Sequence, residues 1–302
     1  MKRIITILCA VSALLLTSCS VFYSVKADPE PGQKHRKAKI TVESFNVRMD
    51  TRKDNENAWD YRKAGALAML QSVKPDLLGL QEAQKHQLNF ILSGLPEYKW
   101  YGLGRDKGKK FTNMGKKGTE ECMAILYNTK TMKMLDCGTF WLSETPDQVS
   151  YGWDAACRRT CTWAKFQVRR NGEIVYYFNT HLDHKGHAAR EESMKLIADK
   201  IKEINPHGYI TFLTADFNST TDDVIFNPLK KQMLDARVDA VRTDHHNTFH
   251  DWQGGRGTKV IDHIWYSGPN CEPLQFKTIT DAYAGIKMIS DHYPVITRFE
   301  VR

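Results

Sequence analysis

Six short polar segments of the chain carry the residue types that perform hydrolytic chemistry. Each combines Asn, Glu, Asp or His with apolar neighbours, and most follow an apolar run where a strand is expected to end. The segments span residues 44–46, 80–82, 179–183, 214–218, 261–264 and 290–294. A single buried acid has ordinary structural explanations, so the prediction of one functional site rests on the co-occurrence of all six.

The chemistry that these segments favour is hydrolysis of a phosphate ester by water. Five of the side chains are hard oxygen donors: Asn46, Glu82, Asp216, Asn218 and Asp291. Such donors suit Mg²⁺ or Mn²⁺, which bind a few carboxylates together with water and substrate phosphate. His181 and His292 add two groups that move protons or donate hydrogen bonds near neutral pH. Because the sequence has no glycine-rich phosphate loop, phosphoryl transfer from a nucleotide is not expected.

Alternating strand-like and helical segments must position these residues. Apolar periodicity predicts helices over residues 58–73, 84–95, 188–204 and 222–232. β-rich runs predict strands over residues 40–47, 76–80, 122–127, 133–142, 160–168, 173–179 and 209–214. Asn171 and Gly172 predict a hairpin turn between two of these strands. The pattern therefore predicts one domain with two sheets and helices outside them.

The ordered set of segments resembles the endonuclease/exonuclease/phosphatase superfamily over about residues 39–302. That superfamily includes pancreatic-type DNases, abasic-site endonucleases, inositol polyphosphate 5-phosphatases and bacterial sphingomyelinases. The resemblance implies an α/β fold, a four-layer α/β sandwich of two mixed β-sheets flanked by helices. It also implies that the site lies at one edge of the two sheets.

The resemblance implies a metal site and a water site. Asn46 and Glu82 correspond to the residues that hold the Mg²⁺ (or Mn²⁺), with Glu82 as the principal ligand and Asp291 beside the metal. Asp216 and Asn218 correspond to the pair that orients and activates the attacking water.

The remaining candidates are implied to contact the phosphate and the leaving group. Asp262 corresponds to the acid that orients His292, so a hydrogen bond is predicted between these two side chains. His181 corresponds to the second histidine, and Glu121 fits the acid that partners it. Arg159 fits an arginine of the substrate cleft.

Several neighbouring residues depart from the pattern or have a simpler interpretation. Arg48 stands two residues after Asn46, where some nucleases of the superfamily carry an acid. Asp183 and Asp262 have the alternative interpretation of structural hydrogen-bond acceptors. His263 is expected on the opposite face of its strand from Asp262, because successive side chains of a strand alternate.

Two loops are candidates for substrate-binding surfaces. Residues 104–119 carry six Lys or Arg against one Asp, which is typical either of a solvated loop or of a rim that attracts phosphate groups. Residues 143–156 carry Tyr151 and Trp153, close in sequence to Arg158. This second loop is expected either to form one wall of a substrate cleft or to pack locally.

The start of the chain predicts export. A basic beginning and an apolar run at residues 4–16, too short to span a bilayer, are typical of a signal peptide. The Leu-Thr-Ser-Cys sequence that follows ends in Cys19, as a bacterial lipoprotein signal does. We therefore expect a signal peptide at residues 1–18, a polar tether at residues 19–38 and the domain at residues 39–302. A plain signal peptide with an incidental cysteine is the alternative.

Charge and the lipoprotein motif narrow the partners and the location. The formal charge is +8, and it stays positive when the two basic residues of the signal peptide are removed, which favours nucleic acid or a phospholipid surface. The expected location is the cell envelope, at the outer membrane, through an acylated Cys19.

The expected function is hydrolysis of phosphodiester bonds by a nuclease or general phosphodiesterase. A phospholipase C-like or sphingomyelinase activity, a phosphomonoesterase acting on a small phosphorylated substrate, and a non-catalytic binding module are the alternatives. The sequence indicates no protein partner.

Overall fold

Two six-stranded sheets carry the polar segments in the structure, a computed structural model that describes residues 36–109, 120–254 and 259–302. The strands of the described part are β1 (Ala38–Asn46), β2 (Leu77–Gln84), β3 (Tyr98–Tyr101), β4 (Glu121–Asn128), β5 (Met132–Trp141), β6 (Thr160–Val168), β7 (Ile174–His181), β8 (Ile210–Asp216), β9 (Leu234–Asp235), β10 (Asp262–Ser267), β11 (Cys271–Thr278) and β12 (Val295–Val301). Its α-helices are α1 (Trp59–Val73), α2 (Lys85–Ser93), α3 (His187–Ile204), α4 (Asn227–Lys230) and α5 (Ala236–Asp239). Short 3₁₀ helices cover Arg52–Asn57 and Val224–Phe226.

Both sheets are mixed. The first has the strand order β11-β12-β1-β2-β4-β3, and the second has the order β5-β6-β7-β8-β10-β9. Each contains one parallel pair, β1 with β2 and β7 with β8, among antiparallel neighbours. The mixed sheets predicted from the sequence are confirmed.

The sheets pack face to face, and helices cover their outer faces. Phe212 of the second sheet and Phe299 of the first have ring centroids 4.7 Å apart, so the two inner faces share one apolar core. Helices α1 and α2 bury Leu70 and Ile91 against the first sheet. Helix α3 buries Ile197 against the second sheet. This succession of helix, sheet, sheet and helix is the predicted four-layer sandwich, which is confirmed.

The parallel pairs bring the polar strand ends to one edge. In the first sheet Asn46 pairs with Gln81, and in the second His181 pairs with Asp216. Asp262, at the start of the antiparallel β10, also pairs with Asp216. Parallel strands end at the same edge of a sheet, so polar residues far apart in sequence meet there.

One predicted helix is wrong. Residues 222–232 form a 3₁₀ turn at Val224–Phe226 and the separate four-residue helix α4, not one helix. Pro228 lies in the first turn of α4, and its ring excludes the backbone hydrogen bond that would continue a helix from the preceding turn. The short helix α5 was not predicted.

Some predictions fall outside the described residues. The signal peptide at residues 1–18, Cys19, most of the tether and residues 110–119 of the basic loop lie there. Strand β1 begins at Ala38, the last residue of the predicted tether. In the described part of the chain no disulfide forms, and Cys157 and Cys161 do not pair with each other. None of the described helices is long and apolar enough to cross a membrane.

Candidate active site

Asn46 connects the two sheets at the shared edge. Its amide nitrogen donates hydrogen bonds to Glu82 Oε1 and to Asp216 Oδ2, both at 3.0 Å. Its amide oxygen accepts a hydrogen bond from the backbone nitrogen of Arg48 at 3.0 Å. Asn46 is 1% exposed, so these contacts fix the position of its side chain inside the protein.

Glu82 reaches the site through an irregularity in β2. The register of β2 against β4 shifts between Leu80 and Ala83, and Glu82 between them has φ 58°. This left-handed conformation is costly for a residue with a side chain, and such strain often occurs at functional sites. Hydrogen bonds from Asn46 and from the backbone nitrogen of Met49 to Glu82 lower its pKa, although burial acts in the opposite direction.

Asp291 lies beside a fixed positive charge. Arg48 Nη1 is 3.6 Å from Asp291 Oδ2, and the same guanidinium makes two hydrogen bonds to Asp54, at 3.0 and 2.9 Å. The buried Arg62 donates a hydrogen bond to the backbone oxygen of Arg48, and this contact fixes the position of the loop. Burial raises the pKa of Asp291, the charges of His292 and Arg48 oppose the rise, and Glu82 adds to it.

His292 and Asp262 make the predicted contact. His292 Nδ1 is 2.8 Å from Asp262 Oδ2, and both side chains are buried. His292 Nε2 faces Asp216 Oδ2 at 3.6 Å. Burial opposes a charged ring, but Asp262 and Asp216 outweigh it and hold the pKa of His292 well above its ordinary value. Phe249 packs on this imidazole with ring centroids 4.9 Å apart.

His263 points away from the site, as the strand alternation predicts. Its Nδ1 is 3.3 Å from Asp235 Oδ2, and its ring packs near Phe217 and Phe226. The two neighbours in sequence therefore lie on opposite faces of β10, with Asp262 alone facing His292.

Asp216 is the central carboxylate of the site. It accepts hydrogen bonds from Asn46 and from the backbone nitrogen of Asn218, the latter at 2.9 Å. Burial raises the pKa of Asp216 to about 7, with the charge of Asp262 adding to the rise and His292 opposing it. A carboxyl group with this pKa can exchange protons near neutral pH.

His181 has the opposite electrostatic setting to His292. Its Nε2 is 2.9 Å from Asn218 Nδ2 and 3.3 Å from Asp216 Oδ2, whereas its buried Nδ1 has no hydrogen-bond partner among the described residues. Burial, together with Arg159 and Arg105, holds the pKa of His181 well below its ordinary value. One histidine of the pair is therefore neutral and the other charged at neutral pH.

Glu121 differs from its predicted role. It was expected to partner His181, but its Oε2 accepts a 2.6 Å hydrogen bond from Arg105 Nη1, and no hydrogen bond joins it to His181 in the described part of the chain. The reason is that Arg105 lies against the start of β4, where its backbone nitrogen also bonds to the Glu121 oxygen. Burial raises the pKa of Glu121 to about 7, and Arg105 opposes the rise.

Arg159 is a buried support rather than an open surface group. It is 5% exposed, its Nε is 3.3 Å from Asp183 Oδ2, and its Nη2 is 3.1 Å from His184 Nδ1. Asp183 also accepts backbone hydrogen bonds from Lys185 and Gly186, in keeping with its interpretation as a structural acceptor. Arg159 therefore contributes positive charge to the site although its side chain is buried.

The residues present fit a divalent cation. Four buried carboxylates, Glu82, Asp216, Asp262 and Asp291, are brought together at this edge. Asp262 Oδ1 has no hydrogen-bond partner in the described structure. Carboxylate and histidine atoms of Glu82, His181 and Asp216 lie within 4.8 Å of one another. Buried negative charges in this number are unfavourable unless a cation balances them, and oxygen donors suit Mg²⁺ or Mn²⁺.

Sequence patterns missed three contributors to the site. Arg48 was noted as a departure, but its contact with Asp291 was not predicted. Arg105 and Phe249 were not singled out, because an arginine in a basic loop and an aromatic residue in an irregular segment have no periodic signal. All three reach the site through tertiary contacts.

Comparisons with known proteins agree with this architecture. The profile of the Endonuclease/Exonuclease/phosphatase family matches residues 44–292. An endonuclease/exonuclease/phosphatase from Bacteroides vulgatus is 34% identical, with a TM-score of 0.79, covering 88% of this chain and 100% of that chain. A family protein from Bacteroides thetaiotaomicron is 31% identical, with a TM-score of 0.80 and coverage of 88% and 99%. A mannosyl-6-phosphatase from the same organism is 32% identical, with a TM-score of 0.78 and coverage of 86% and 99%.

Proposed function

The chain belongs to the endonuclease/exonuclease/phosphatase family, and we propose that it is a phosphatase that removes phosphate from a small hydroxylated molecule, such as a sugar phosphate. Family membership implies metal-dependent phosphoesterase activity. The substrate class goes beyond what family membership implies. It replaces the expectation from the sequence that the protein is a nuclease or a general phosphodiesterase.

One observation carries the choice of substrate class. The chain is similar to a mannosyl-6-phosphatase at 32% identity over 86% of its length. The surroundings of the site are compatible with this choice, because Arg48, Arg105 and Arg159 place three cationic side chains around it, each paired with a carboxylate. A phosphate monoester carries more negative charge than a diester, and a divalent cation bound to the buried carboxylates would add the positive charge that a monoester needs.

In the proposed mechanism, water forms a bond to phosphorus while the bond between phosphorus and the leaving oxygen breaks. Asn46, Glu82 and Asp291 would hold the divalent cation, which when bound neutralises phosphate charge and makes water a better nucleophile. Asp216, aligned by Asn218, accepts the proton of the attacking water.

His292 supplies the complementary charge. Asp262 holds its ring through Nδ1, so Nε2, which lies 3.6 Å from Asp216 Oδ2, donates toward the phosphate oxygens where negative charge develops. His181 stays neutral, with its Nε2 3.3 Å from Asp216 Oδ2. Its Nδ1 has no hydrogen-bond partner among the described residues and is available to bond to the substrate. The leaving oxygen takes up a proton from solvent and departs as an alcohol, and Asp216 returns to solvent the proton that it accepted from the attacking water.

A substrate screen tests the proposal. We expect phosphate release from mannose 6-phosphate in Mg²⁺ or Mn²⁺ that exceeds hydrolysis of single-stranded DNA and sphingomyelin, and a chelator should abolish it. Faster cleavage of DNA or of sphingomyelin would favour the phosphodiesterase alternatives instead. Absence of hydrolysis with every substrate and metal, with the fold intact, would favour a non-catalytic binding module.

We also propose that the protein acts at the cell envelope, anchored through Cys19. The proposal is supported by the Leu-Thr-Ser-Cys sequence after an apolar run near the start of the chain. Mass spectrometry of the mature protein should find acyl chains on an N-terminal Cys19, and Cys19→Ala should give unprocessed or soluble protein. An unmodified mature N-terminus at another residue would contradict the proposal.

A further inference from the structure

An exposed tyrosine lies beside the active site, stacked on an arginine. Tyr151 is 53% exposed, and the guanidinium carbon of Arg158 lies 4.3 Å from the centre of its ring. Arg158 Nη1 is 3.4 Å from Asp106 Oδ1, so a carboxylate completes the group. An aromatic face combined with a few fixed polar groups is the usual composition of a site for a small polar ligand. We call Asp106, Tyr151 and Arg158 the tyrosine rim.

The loop that carries Tyr151 is held rigidly. A Cβ at Gly152 would come within 2.1 Å of the Leu142 backbone oxygen, so only glycine allows this close approach. Trp153 has φ 44°, a strained conformation for a large side chain. Asp154 accepts a 2.6 Å hydrogen bond from the backbone nitrogen of Ala189 in α3. The exposure of Tyr151 is therefore a property of an ordered loop, and binding to it would cost little ordering entropy.

The tyrosine rim adjoins the catalytic groups through two arginines. Asp106 follows Arg105, which makes the 2.6 Å contact with Glu121. Arg158 precedes Arg159, whose Nε lies 3.3 Å from Asp183 Oδ2, two residues after His181 in the chain. The tyrosine rim is therefore connected to the His181 side of the site through the residues next to Arg105 and Arg159.

One donor of the tyrosine rim and one donor beside it lack partners. Arg105 Nε and Arg158 Nε are buried, and neither has a hydrogen-bond partner in the described structure. Unpartnered buried donors are uncommon, because they lose water without gaining a protein acceptor. Hydroxyl groups of a bound ligand would supply acceptors here.

From these observations we propose that the tyrosine rim binds the leaving group of the substrate as a hydroxylated six-membered ring, with the ring on Tyr151 and its hydroxyl groups on Arg158 and Asp106. The inference rests on the proposed phosphatase function. Arg158 already covers one face of the tyrosine, which leaves room for one small ring rather than for a long apolar chain.

Kinetics with two substrates test the subsite. Ethyl phosphate has the same phosphate group as mannose 6-phosphate but no ring to bind. For mannose 6-phosphate, Tyr151→Ala should raise KM about tenfold with little change in kcat, because it removes binding remote from the reacting atoms. For ethyl phosphate the same variant should change KM less than about twofold. Tyr151→Trp should restore a low KM for mannose 6-phosphate.

A matched control is Tyr61→Ala, since Tyr61 is 68% exposed on α1 and should leave both KM values unchanged. Equal effects of Tyr151→Ala on the two substrates, or no effect on either, would overturn the subsite.

Equilibrium binding separates this inference from the proposed function. Calorimetric titration of mannose 6-phosphate into His292→Ala, with and without Tyr151→Ala, measures the subsite independently of turnover. If the enzyme hydrolyses no monoester but binding still weakens about tenfold with Tyr151→Ala, the proposed function fails and the subsite stands. If hydrolysis occurs but Tyr151→Ala leaves the affinity for mannose 6-phosphate unchanged, the subsite is wrong and the proposed function stands.

Discussion

The site has two sides that hold their acidic groups in different ways. On the arginine side, Asp291 lies 3.6 Å from Arg48, which donates two hydrogen bonds to Asp54, and the charge of Arg48 also acts on Glu82. On the histidine side, Asp216 and Asp262 face His292, and His181 completes the group. An arginine keeps its charge at any physiological pH, whereas the charge of a histidine depends on its surroundings.

This difference separates two properties of the enzyme. The arginine side contains a permanent cation and Glu82, whose pKa is lowered, so it is suited to keeping the principal metal ligand ionised over a wide pH range. The histidine side contains groups with shifted pKa values, including Asp216 at about 7, so it is suited to moving protons. Adjacent residues of one loop serve both sides, since Asp291 faces Arg48 while His292 faces Asp262.

The largest effect is expected from His292→Ala on the histidine side. We expect a loss of about 10³-fold or more in kcat, because the variant removes a preorganised donor from a buried site. Steady-state phosphate release with saturating Mg²⁺ measures it. His263→Ala, one residue from Asp262 but on the opposite face of β10, is the control and should be far milder. Near-full activity of His292→Ala would show that the histidine side is not catalytic.

On the arginine side, Glu82→Gln should mainly affect metal binding. Loss of one carboxylate from the ligand set should weaken Mn²⁺ binding by about 100-fold or more, and excess metal should restore part of the activity. Calorimetric titration with Mn²⁺ measures the affinity directly. Unchanged Mn²⁺ affinity would show that Glu82 is not a metal ligand and would contradict the assignment of metal binding to the arginine side.

A smaller effect is expected from Asp262→Asn, which leaves His292 in place without its charged partner. Activity should fall by about 10²-fold, less than for His292→Ala. Asp262 raises the pKa of His292, so its removal lowers that pKa, and the charged ring is then lost at a lower pH. The alkaline limb of the pH–rate profile should therefore move toward lower pH, and a shift in the other direction would contradict this account.

The smallest effect concerns Glu43, a buried acid that has neither an arginine nor a histidine. It is fully buried, both carboxylate oxygens lack a hydrogen-bond partner in the described residues, and burial raises its pKa well above the ordinary value. Its raised folded-state pKa means that stability is retained below the unfolded-state pKa and is lost as pH rises toward the folded value. Glu43→Leu should therefore raise the free energy of unfolding by about 1–3 kcal/mol, more at pH 8 than at pH 5.

Urea denaturation at the two pH values measures this effect, and Glu56→Leu, at an exposed acid, is the control. A lower free energy of unfolding for Glu43→Leu than for the wild type at pH 8 would contradict the inference that the unpartnered acid destabilises the protein.

The sequence by itself predicted the fold class and most of the residues at the site. Apolar runs that end in polar residues predicted the strands that supply Asn46, His181 and Asp216. The contact between Asp262 and His292, thirty residues apart in the chain, was implied by the resemblance to the superfamily and not by a local pattern. Local patterns were sufficient for Asn46, His181 and Asp216 because each of them ends a strand, and the end of a strand shows in the sequence as a change from apolar to polar residues.

The tertiary structure alone decided which charges face one another. Glu121 was predicted to partner His181, yet it contacts Arg105, a residue from a loop without periodic signal. Arg48 reaches Asp291 across 243 positions of sequence, and no local pattern specifies that approach. Sequence periodicity determines the face of an element on which a side chain lies, whereas ion-pair partners depend on how separate elements pack. The two shifted histidines follow from that packing, because burial and neighbouring charges set a pKa.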